Sequence, residues 1–486
     1  VSSFVQAPKV SLRTTALRWL IFGHRWLGIL TCLFFFMWFA TGLVLMYVGF
    51  PEYTRSERLS RLEPIDWSAI RIPPDAALDA LAAMDFPRQF RLEMSAGEPV
   101  YRHAISAVTG QPIENVTAAQ ARTIAERASG ATALTVTTIE RDQWTVAGTF
   151  EGHRPLHRVT LNSPDGLELY VSSRTGEIVL DTTRRERGRN RIGAVLHWLY
   201  FTELRANPPL WSQVVMWLSG TGILVAITGL WLGIDRLRIK RRENGISITP
   251  FRGWMAWHHV LGLVGGAFVL MWIFSGWLSM GPPVPWERPL DMQRRAAVTR
   301  VLLGNPEPTF PADLQALATH AGHDVREVAF MWALGKPQFV LTDANGRRRV
   351  LDATNNRPRT FDEREWTKRL QGLMHPAMLE SAELLTREDA YWYSRRGSRT
   401  LPVLRCKFGD EDRTWIYIDP ETGQLVGWIR KSDRIHRWLF NGLHSLDFRW
   451  LLAHRPLWDI VMWVLSTIGL ALCATSIVIG WRALRR

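Results

Sequence analysis

Four histidines in this sequence stand in two fixed spacings: His24 and His258 lie 234 residues apart, and His197 and His444 lie 247 apart. His24 sits in "GHRWLGILTCLFFFMWFATG" and His258 in "WHHVLGLVGGAFVLMWIFSG". These two stretches align without a gap and also match Gly28 to Gly262, Met37-Trp38 to Met271-Trp272 and Gly42 to Gly276. His197 ("VLHWLYF") and His444 ("GLHSLDF") share a second register. It starts with "LYVSSRTGEIV" (169 to 179) on "IYIDPETGQLV" (416 to 426) and continues through "PLW" at 209 to 211 on "PLW" at 456 to 458. Neutral imidazole is a common metal ligand, and haem iron is often held by histidine. Two imidazoles on helices related by a twofold axis can approach one iron from opposite faces, so two equivalent pairs suggest two haem sites.

The elements that must position these side chains are four uncharged runs, Trp26 to Gly49, Pro208 to Ile234, Val260 to Trp286 and Ile460 to Trp481. Each is long enough to cross a bilayer as a helix, which needs about 20 apolar residues. The 24 tryptophans among 486 residues fit the aromatic belts of a membrane protein rather than a soluble enzyme. His24 and His258 fall just inside equivalent ends of the first and third runs. His197 and His444 fall on short helices ahead of the second and fourth. The near-neutral mean hydropathy leaves much of the chain for water-soluble domains.

Short basic segments set the expected orientation: Lys9, Arg13 and Arg18 at the start, "DRLRIKRRENG" between the second and third runs, and "WRALRR" at the end. By the positive-inside rule these are cytoplasmic, and the two long insertions face the other side. The expected division is a cytoplasmic start at 1–25, a span at 26–49 and a first outer domain at 50–188. An outer helix with the second span follows at 189–234, then a cytoplasmic loop at 235–254 and the third span at 255–286. A second outer domain occupies 287–433, an outer helix with the fourth span 434–481, and a cytoplasmic tail 482–486. The net charge of +14 is then mainly a topology signal, and nothing points to nucleic acid. The basic approach to the first run has no small-residue cleavage site after a short apolar core, so that run reads as an uncleaved anchor. Cys32 and Cys473 fall in spans and Cys406 stands alone, which implies no disulfide framework.

Each half reads as one span, one domain and one return span. Two halves in series predict a tandem duplication about an axis along the membrane normal. Within the domains, "LELYVSSRTGEIV" alternates apolar and polar residues up to a Thr-Gly turn, as a hairpin does. "VYRHAISAVTGQPIENVTAAQARTIAERAS" adds strands and a helix opened by Thr117. Its partner is "QFVLTDANGRRRVLDATNNRPRTFDEREWTKRLQ", so each domain is expected to hold two small α+β units.

Every candidate has a plainer alternative. A histidine at a span end can be an interfacial or packing residue, and the duplication could preserve packing. His259 aligns with Arg25 and, about 100° round the helix from His258, should face elsewhere. His454 aligns with Asn207 and is a candidate for contact with a propionate or substrate. "HRPLH" (His153, His157) and "HAGH" (His320, His323) have metal-like spacing but no nearby cluster of other donors, and His103, His375 and His436 read as ordinary domain residues. Arg25, Arg189, Arg191, Arg434 and Arg437 are candidates for pairing with haem propionates or for interfacial snorkelling. Gly28, Gly42, Gly262, Gly265, Gly266 and Gly276 suit close approach of a macrocycle or of another helix. Trp198, Tyr200, Phe201, Phe440, Phe448 and Trp450 form the expected aromatic surround of the outer pair.

"YVSSRTGEIV" and "YIDPETGQLV" resemble the PepSY signature. "HRWLG" opening a span, with "LH" ahead of "PLW", resembles the PepSY-associated transmembrane proteins, a group that includes FoxB-like ferric-siderophore reductases. The resemblance covers nearly the whole chain. It implies a four-helix membrane bundle with two α+β PepSY-like periplasmic domains in a bacterial inner membrane, and two b-type haems. His24, His258, His197 and His444 would hold the haem irons, and Arg25 would be a cofactor contact. It further implies an oxidoreductase passing electrons to a periplasmic acceptor such as ferric iron in a siderophore. The sequence has no Gly-rich dinucleotide fingerprint, phosphate loop or HExxH motif, and its cytoplasmic segments are too short for a flavin or nicotinamide domain. Electrons from inside must then come from membrane quinol or a separate cytosolic reductase. Two other classes compete with this expectation: a PepSY-type peptide-binding or protease-regulating anchor, which has no need of intramembrane histidines, and a transporter, for which spans lacking acidic residues offer little pathway.

Overall fold

The computed structural model describes residues 12–80, 90–102, 105–242, 245–281, 290–304, 310–359, 366, 369–395 and 399–485. Lys9, His103, the stretch 282–286 at the expected end of the third span, and Arg486 lie outside the described residues.

Four helices are long and apolar enough to cross a membrane: helix I (Leu12–Leu45), helix II (Pro208–Asp235), helix III (Trp254–Leu278) and helix IV (Arg455–Leu484). Helix II starts where Asn207 accepts a hydrogen bond from the Leu210 amide and Pro208 takes the first position, where its missing N–H costs nothing. Helix IV starts at the equivalent point after His454, again with proline in its first turn. Two boundaries differ from the sequence reading. Within the described residues helix I already runs from Leu12, so the basic stretch ahead of the apolar run belongs to the same helix and His24 lies at least about three turns inside it. Helix III begins at Trp254 after Gly253, whose φ of +58° ends the preceding turn, and it stops at Leu278.

Helix I packs on helices II and IV, and helix III packs on the same two, so helices I and III face each other across a diagonal. Their shared core holds Phe35, Phe39, Trp272, Ile273, Trp458 and Met462. Gly469 and Gly222 mark close approaches: a Cβ at either would lie 2.5 Å from the Phe39 or the Phe35 ring. The opposite faces leave Trp217, Trp231, Leu30 and Leu33 exposed, a lateral surface that suits hydrocarbon rather than water.

The bundle is one compact unit, and the two insertions, residues 50–188 and 285–434, together form another. The first insertion contributes β1 (Phe90–Ser95), β2 (Glu98–Arg102), β3 (Ile105–Ser106), β4 (Ala133–Ile139), β5 (Leu156–Leu161), β6 (Glu168–Ser172) and β7 (Ile178–Thr182). A short hairpin, β8 (Lys240–Arg242) and β9 (Gly245–Ser247), joins helices II and III. The second insertion supplies β10 (Val325–Ala333), β11 (Lys336–Asp343), β12 (Arg348–Asp352), β13 (Leu379–Leu385), β14 (Val403–Phe408), β15 (Trp415–Ile418) and β16 (Leu425–Ile429). Two four-stranded sheets, β4-β5-β6-β7 and β13-β14-β15-β16, carry the expected hairpins, with Gly176 and Gly423 at positive φ in their turns.

A third sheet runs β12-β11-β10-β1-β2-β3 and so joins the two insertions that the sequence suggests are separate domains. The physical reason is the edge: β1 and β10 would each expose unpaired backbone, and they cover one another instead. Their antiparallel register sets Phe90 against Phe330, Leu92 against Val328 and Glu93 against Glu327. The aromatic side is dry, with the Phe90 ring 5.2 Å from Tyr101 and 5.3 Å from Phe330.

Two carboxylates directly opposite on one face repel. Arg58 resolves this by bonding both Glu93, at 2.6 Å, and Glu327. Arg91 lies 3.2 Å from Glu93 and 3.5 Å from Glu327, and Arg102 donates to Glu93 at 2.5 Å. Burial alone would raise the Glu93 pKa, but Arg102, Arg91 and Arg58 hold it below its ordinary 4.5, at about 2. Because the folded-state value is depressed, this stabilisation is present above about pH 4.5 and is lost as pH falls towards 2, on the order of 3 kcal/mol in all. Protection factors of the β1 and β10 amides, corrected for the intrinsic exchange rate at each pH, should therefore fall between pH 4.5 and 2.5. Glu93→Gln should show fast exchange already at pH 7, because it leaves Arg102 buried beside a neutral group.

Candidate functional site

The structure brings His24 to His258 and His197 to His444, each pair with ring centroids 6.3 Å apart. All four rings are half-buried. Their Nδ1 atoms face acceptors on neighbouring helices, and the acceptors repeat in the opposite register: those of His24 and His258 lie 247 residues apart, those of His197 and His444 lie 234 apart. His24 Nδ1 lies 3.2 Å from the Val225 carbonyl and 3.3 Å from Thr228 Oγ1 on helix II. His258 Nδ1 lies 3.2 Å from Thr475 Oγ1 and 3.3 Å from Ser476 Oγ on helix IV, with a further bond to the Leu472 carbonyl. His197 Nδ1 lies 3.0 Å from Thr41 Oγ1 on helix I, with a bond to the Trp38 carbonyl. His444 Nδ1 lies 3.1 Å from Ser275 Oγ and 3.3 Å from the Trp272 carbonyl on helix III.

Counting protons fixes the tautomer. Each hydroxyl has one proton and donates it to its own helix: Thr41 to Met37, Ser275 to Trp272, Thr228 to Leu224, Thr475 and Ser476 to Leu472. Its oxygen can then only accept, as a carbonyl can only accept. All four Nδ1 atoms are therefore N–H donors, and the lone pair of each imidazole resides on Nε2. Orientation of a ligating imidazole by its other ring nitrogen is the usual second layer of a metal site. Burial and the adjacent His444 push the His197 pKa down to about 3, which keeps that ring neutral.

The centroid separation fits one metal ion between the rings of each pair. Two metal–imidazole bonds of about 2 Å, each with about 1.1 Å from nitrogen to ring centre, give about 6.2 Å. Among the described residues no group of three or more His, Cys, Asp or Glu side chains is gathered that could hold an ion. A two-imidazole donor set is too small for a zinc-type site, whereas it suits a metal whose other ligands come from a macrocycle.

Local backbone supports the second pair in both halves. A π-helical turn precedes each histidine, Arg191–Val195 before His197 and Trp438–Gly442 before His444. Two residues after each, Leu199 and Leu446 take φ of +50°, a left-handed conformation that costs a branched side chain about 1 kcal/mol or more. Gly42 and Gly276 cradle the imidazoles: a Cβ would stand 3.4 Å from His197 Cε1 and 3.5 Å from His444 Cε1. The Phe440 ring stacks on His444 at 5.3 Å.

The two pairs are separated along the bundle. The seventeen residues from His24 to Thr41 on helix I rise about 25 Å, close to the thickness of a hydrocarbon core.

Other candidates fall elsewhere. His259 is buried and uses Nε2 to donate to the Gly233 carbonyl at 2.9 Å, the opposite tautomer to its neighbour. His454 is the residue before helix IV, its Nδ1 2.6 Å from the Trp450 carbonyl. His157 is a core residue bonded through both nitrogens, to Thr138 and Val116. Arg25 is exposed, its guanidinium 5.4 Å over Trp26, and Arg437 bonds the Asp447 carbonyl and lies over Trp438. Gly265 and Gly266 admit Ile468 and Leu230, so they serve helix packing. Of the expected aromatic surround, Phe448 stacks on Trp438, Trp198 and Tyr200 gather with Trp211, and Trp450 is exposed. Sequence reasoning passed over Thr41, Ser275, Thr228 and Thr475. Their signal was present, since Thr41 aligns with Ser275 in the first register and Thr228 with Thr475 in the second.

The family model of the PepSY-associated TM region matches residues 22–377, nearly three quarters of the chain. The chain belongs to the PepSY-associated transmembrane family. No curated protein gave a significant sequence match. In this PepSY-associated protein the matched stretch holds helices I to III with His24, His197 and His258 and the acceptors Thr41, Thr228 and Ser275. His444 and Thr475 lie beyond it and are tied to the site by their contacts.

The tautomer is directly testable. In ¹⁵N-histidine spectra of the cofactor-free protein, His24, His197, His258 and His444 should appear as neutral Nδ1–H imidazoles and His259 as Nε2–H. A dominant Nε2–H form at any of the four would contradict the proton count.

Proposed function

We propose that this protein carries electrons across a bacterial inner membrane. It would hold two b-type haems, one between His24 and His258 and one between His197 and His444. Its extramembrane unit would lie in the periplasm, where the acceptor is a ferric chelate such as a ferric siderophore. Membrane quinol or a cytosolic reductase is the donor class, and the two halves are the products of a tandem duplication. When bound, each haem supplies a one-electron ferric/ferrous couple. Delivery of an electron to ferric iron in a hard-oxygen chelate releases the metal, because the ferrous ion is held far less tightly by such donors.

The observation that carries this reading is the commitment of all four Nδ1–H groups to acceptors on adjacent helices, in two pairs whose ring centroids lie 6.3 Å apart. The chain's own residues then do three things. Thr228, Thr475 and Ser476, with nearby carbonyls, hold the first pair of imidazoles aimed, with Nδ1 protonated and Nε2 left to a metal. Thr41, Ser275 and the Trp272 carbonyl do the same for the second pair. Phe35, Phe39, Trp272 and Trp458 fill the bundle with apolar volume that excludes water. Orientation follows from the basic short segments such as Arg13, Arg18, Arg236 and Arg238, which the positive-inside rule places in the cytoplasm.

Purified protein should show a low-spin b-type spectrum and about two haems per chain by pyridine haemochrome. His24→Ala or His258→Ala should lower the count to about one and leave circular dichroism of the sheets intact. His197→Ala or His444→Ala should do the same, and should also abolish oxidation of the reduced protein by an added ferric chelate. Protein free of haem after expression with ample supply would sink this reading and favour a PepSY-type peptide-binding or protease-regulating anchor.

A further inference from the structure

The repeat places a tryptophan in the first turn of helix II and of helix IV, and both indoles are held alike. Trp211 donates from Nε1 to the Trp198 carbonyl at 2.8 Å, and Trp458, 247 residues on, makes the equivalent bond to the Ser445 carbonyl at 3.0 Å. An arginine lies 4.7 Å over each ring, Arg205 over Trp211 and Arg455 over Trp458. The two cations reach their indoles from different places in the repeat, since Leu452 stands where Arg205 would and Pro208 where Arg455 would.

Their charges are met differently. Arg455 pairs with Asp459 at 3.5 Å, and that carboxylate also accepts from the Tyr47 hydroxyl at 3.1 Å. At the place of Asp459 the first half has Ser212. Among the described residues the Arg205 side chain makes no hydrogen bond and no ion pair, not even with Glu203 two residues before it. Its Nε is enclosed without a partner, its guanidinium also lies 5.0 Å over Tyr200, and the residue as a whole stays partly accessible. A guanidinium stacked on rings keeps its in-plane N–H donors for an anion, and an enclosed donor without a partner is costly.

The surroundings select the kind of anion. Leu210, Val214 and Trp217 are exposed and recur at helical spacing, so an apolar track runs down helix II from the end where Arg205 sits. We propose that Arg205, held by Tyr200 and Trp211, binds the phosphate of an anionic phospholipid whose acyl chain lies along Leu210, Val214 and Trp217. The second half offers no such site, because Asp459 already meets the charge of Arg455. Arginine beside interfacial aromatic rings is the chemistry that recognises such headgroups. The site requires only that the bundle lies in a membrane and is independent of the electron-transfer reading.

The experiment is native mass spectrometry of the purified full-length protein in detergent, titrated with dioleoylphosphatidylglycerol. The protein should hold one such lipid more tightly than any other, and Arg205→Gln should weaken that binding about tenfold. Ser212→Asp, which sets the carboxylate of the second half beside Trp211, should weaken it in the same direction. Arg455→Gln removes a cation that is already paired and should change it by less than about threefold. Dioleoylglycerol, with the same chains and no phosphate, should not compete, and equimolar inorganic phosphate should not displace the lipid. Unchanged lipid binding in an Arg205→Gln protein that keeps its helical circular dichroism would overturn the proposal. Displacement by equimolar inorganic phosphate would also overturn it, by showing an oxyanion site to which the apolar track adds nothing.

Discussion

Each of the four paired histidines is held by a hydrogen bond that can run in only one direction. The hydroxyls beside them have already donated to their own helices, so the imidazoles must donate from Nδ1. That constraint sets which nitrogen keeps a lone pair and ties helix I to helix II, helix III to helix IV, and the segments ahead of helices II and IV back to helices I and III. The bundle's packing and its candidate chemistry thus depend on the same few bonds. His259 shows the contrast: one residue from His258, it donates from Nε2 to a carbonyl and acts as an ordinary buried contact.

The sheet-bearing unit meets a different constraint, the unpaired strand edge. Pairing β1 with β10 removes an exposed edge from each insertion and welds them through Phe90, Tyr101, Phe330 and Phe339. The same register forces Glu93 and Glu327 together, and a ring of arginines is needed to make that tolerable. Buried ion pairs of this kind contribute less to net stability than to specificity, since a slipped register would leave carboxylates buried without partners. The two halves of the chain are thus interlocked in sheet and bundle alike.

The repeat preserves backbone anchoring more faithfully than side-chain charge. Arg187 and Arg434 hold equivalent carbonyls, Tyr170 and Tyr417 occupy equivalent strands, and the π-turns and left-handed leucines recur. Against that shared frame, the exchange of Glu168 for Trp415 stands out as a change of surface chemistry without a change of fold.

The sequence by itself determined the four apolar helices, the repeat, the hairpins around Thr175-Gly176 and Thr422-Gly423, and which histidines correspond. These follow from local quantities: length of apolar run, strand alternation, turn residues and self-similarity. The repeat already suggested that His24 meets His258 and His197 meets His444, and the tertiary structure supplied the contact, with ring centroids 6.3 Å apart in each pair. Tertiary structure alone decided the tautomers, since Thr228 and Thr475 act only through neighbours that the chain brings from more than 200 residues away. The joining of the two insertions through β1 and β10 was equally hidden, because an edge strand carries the same alternation whatever it pairs with. That helix I extends back through the basic residues Arg13 and Arg18 was not visible to hydropathy, since a helix continues through basic residues wherever its backbone bonds allow.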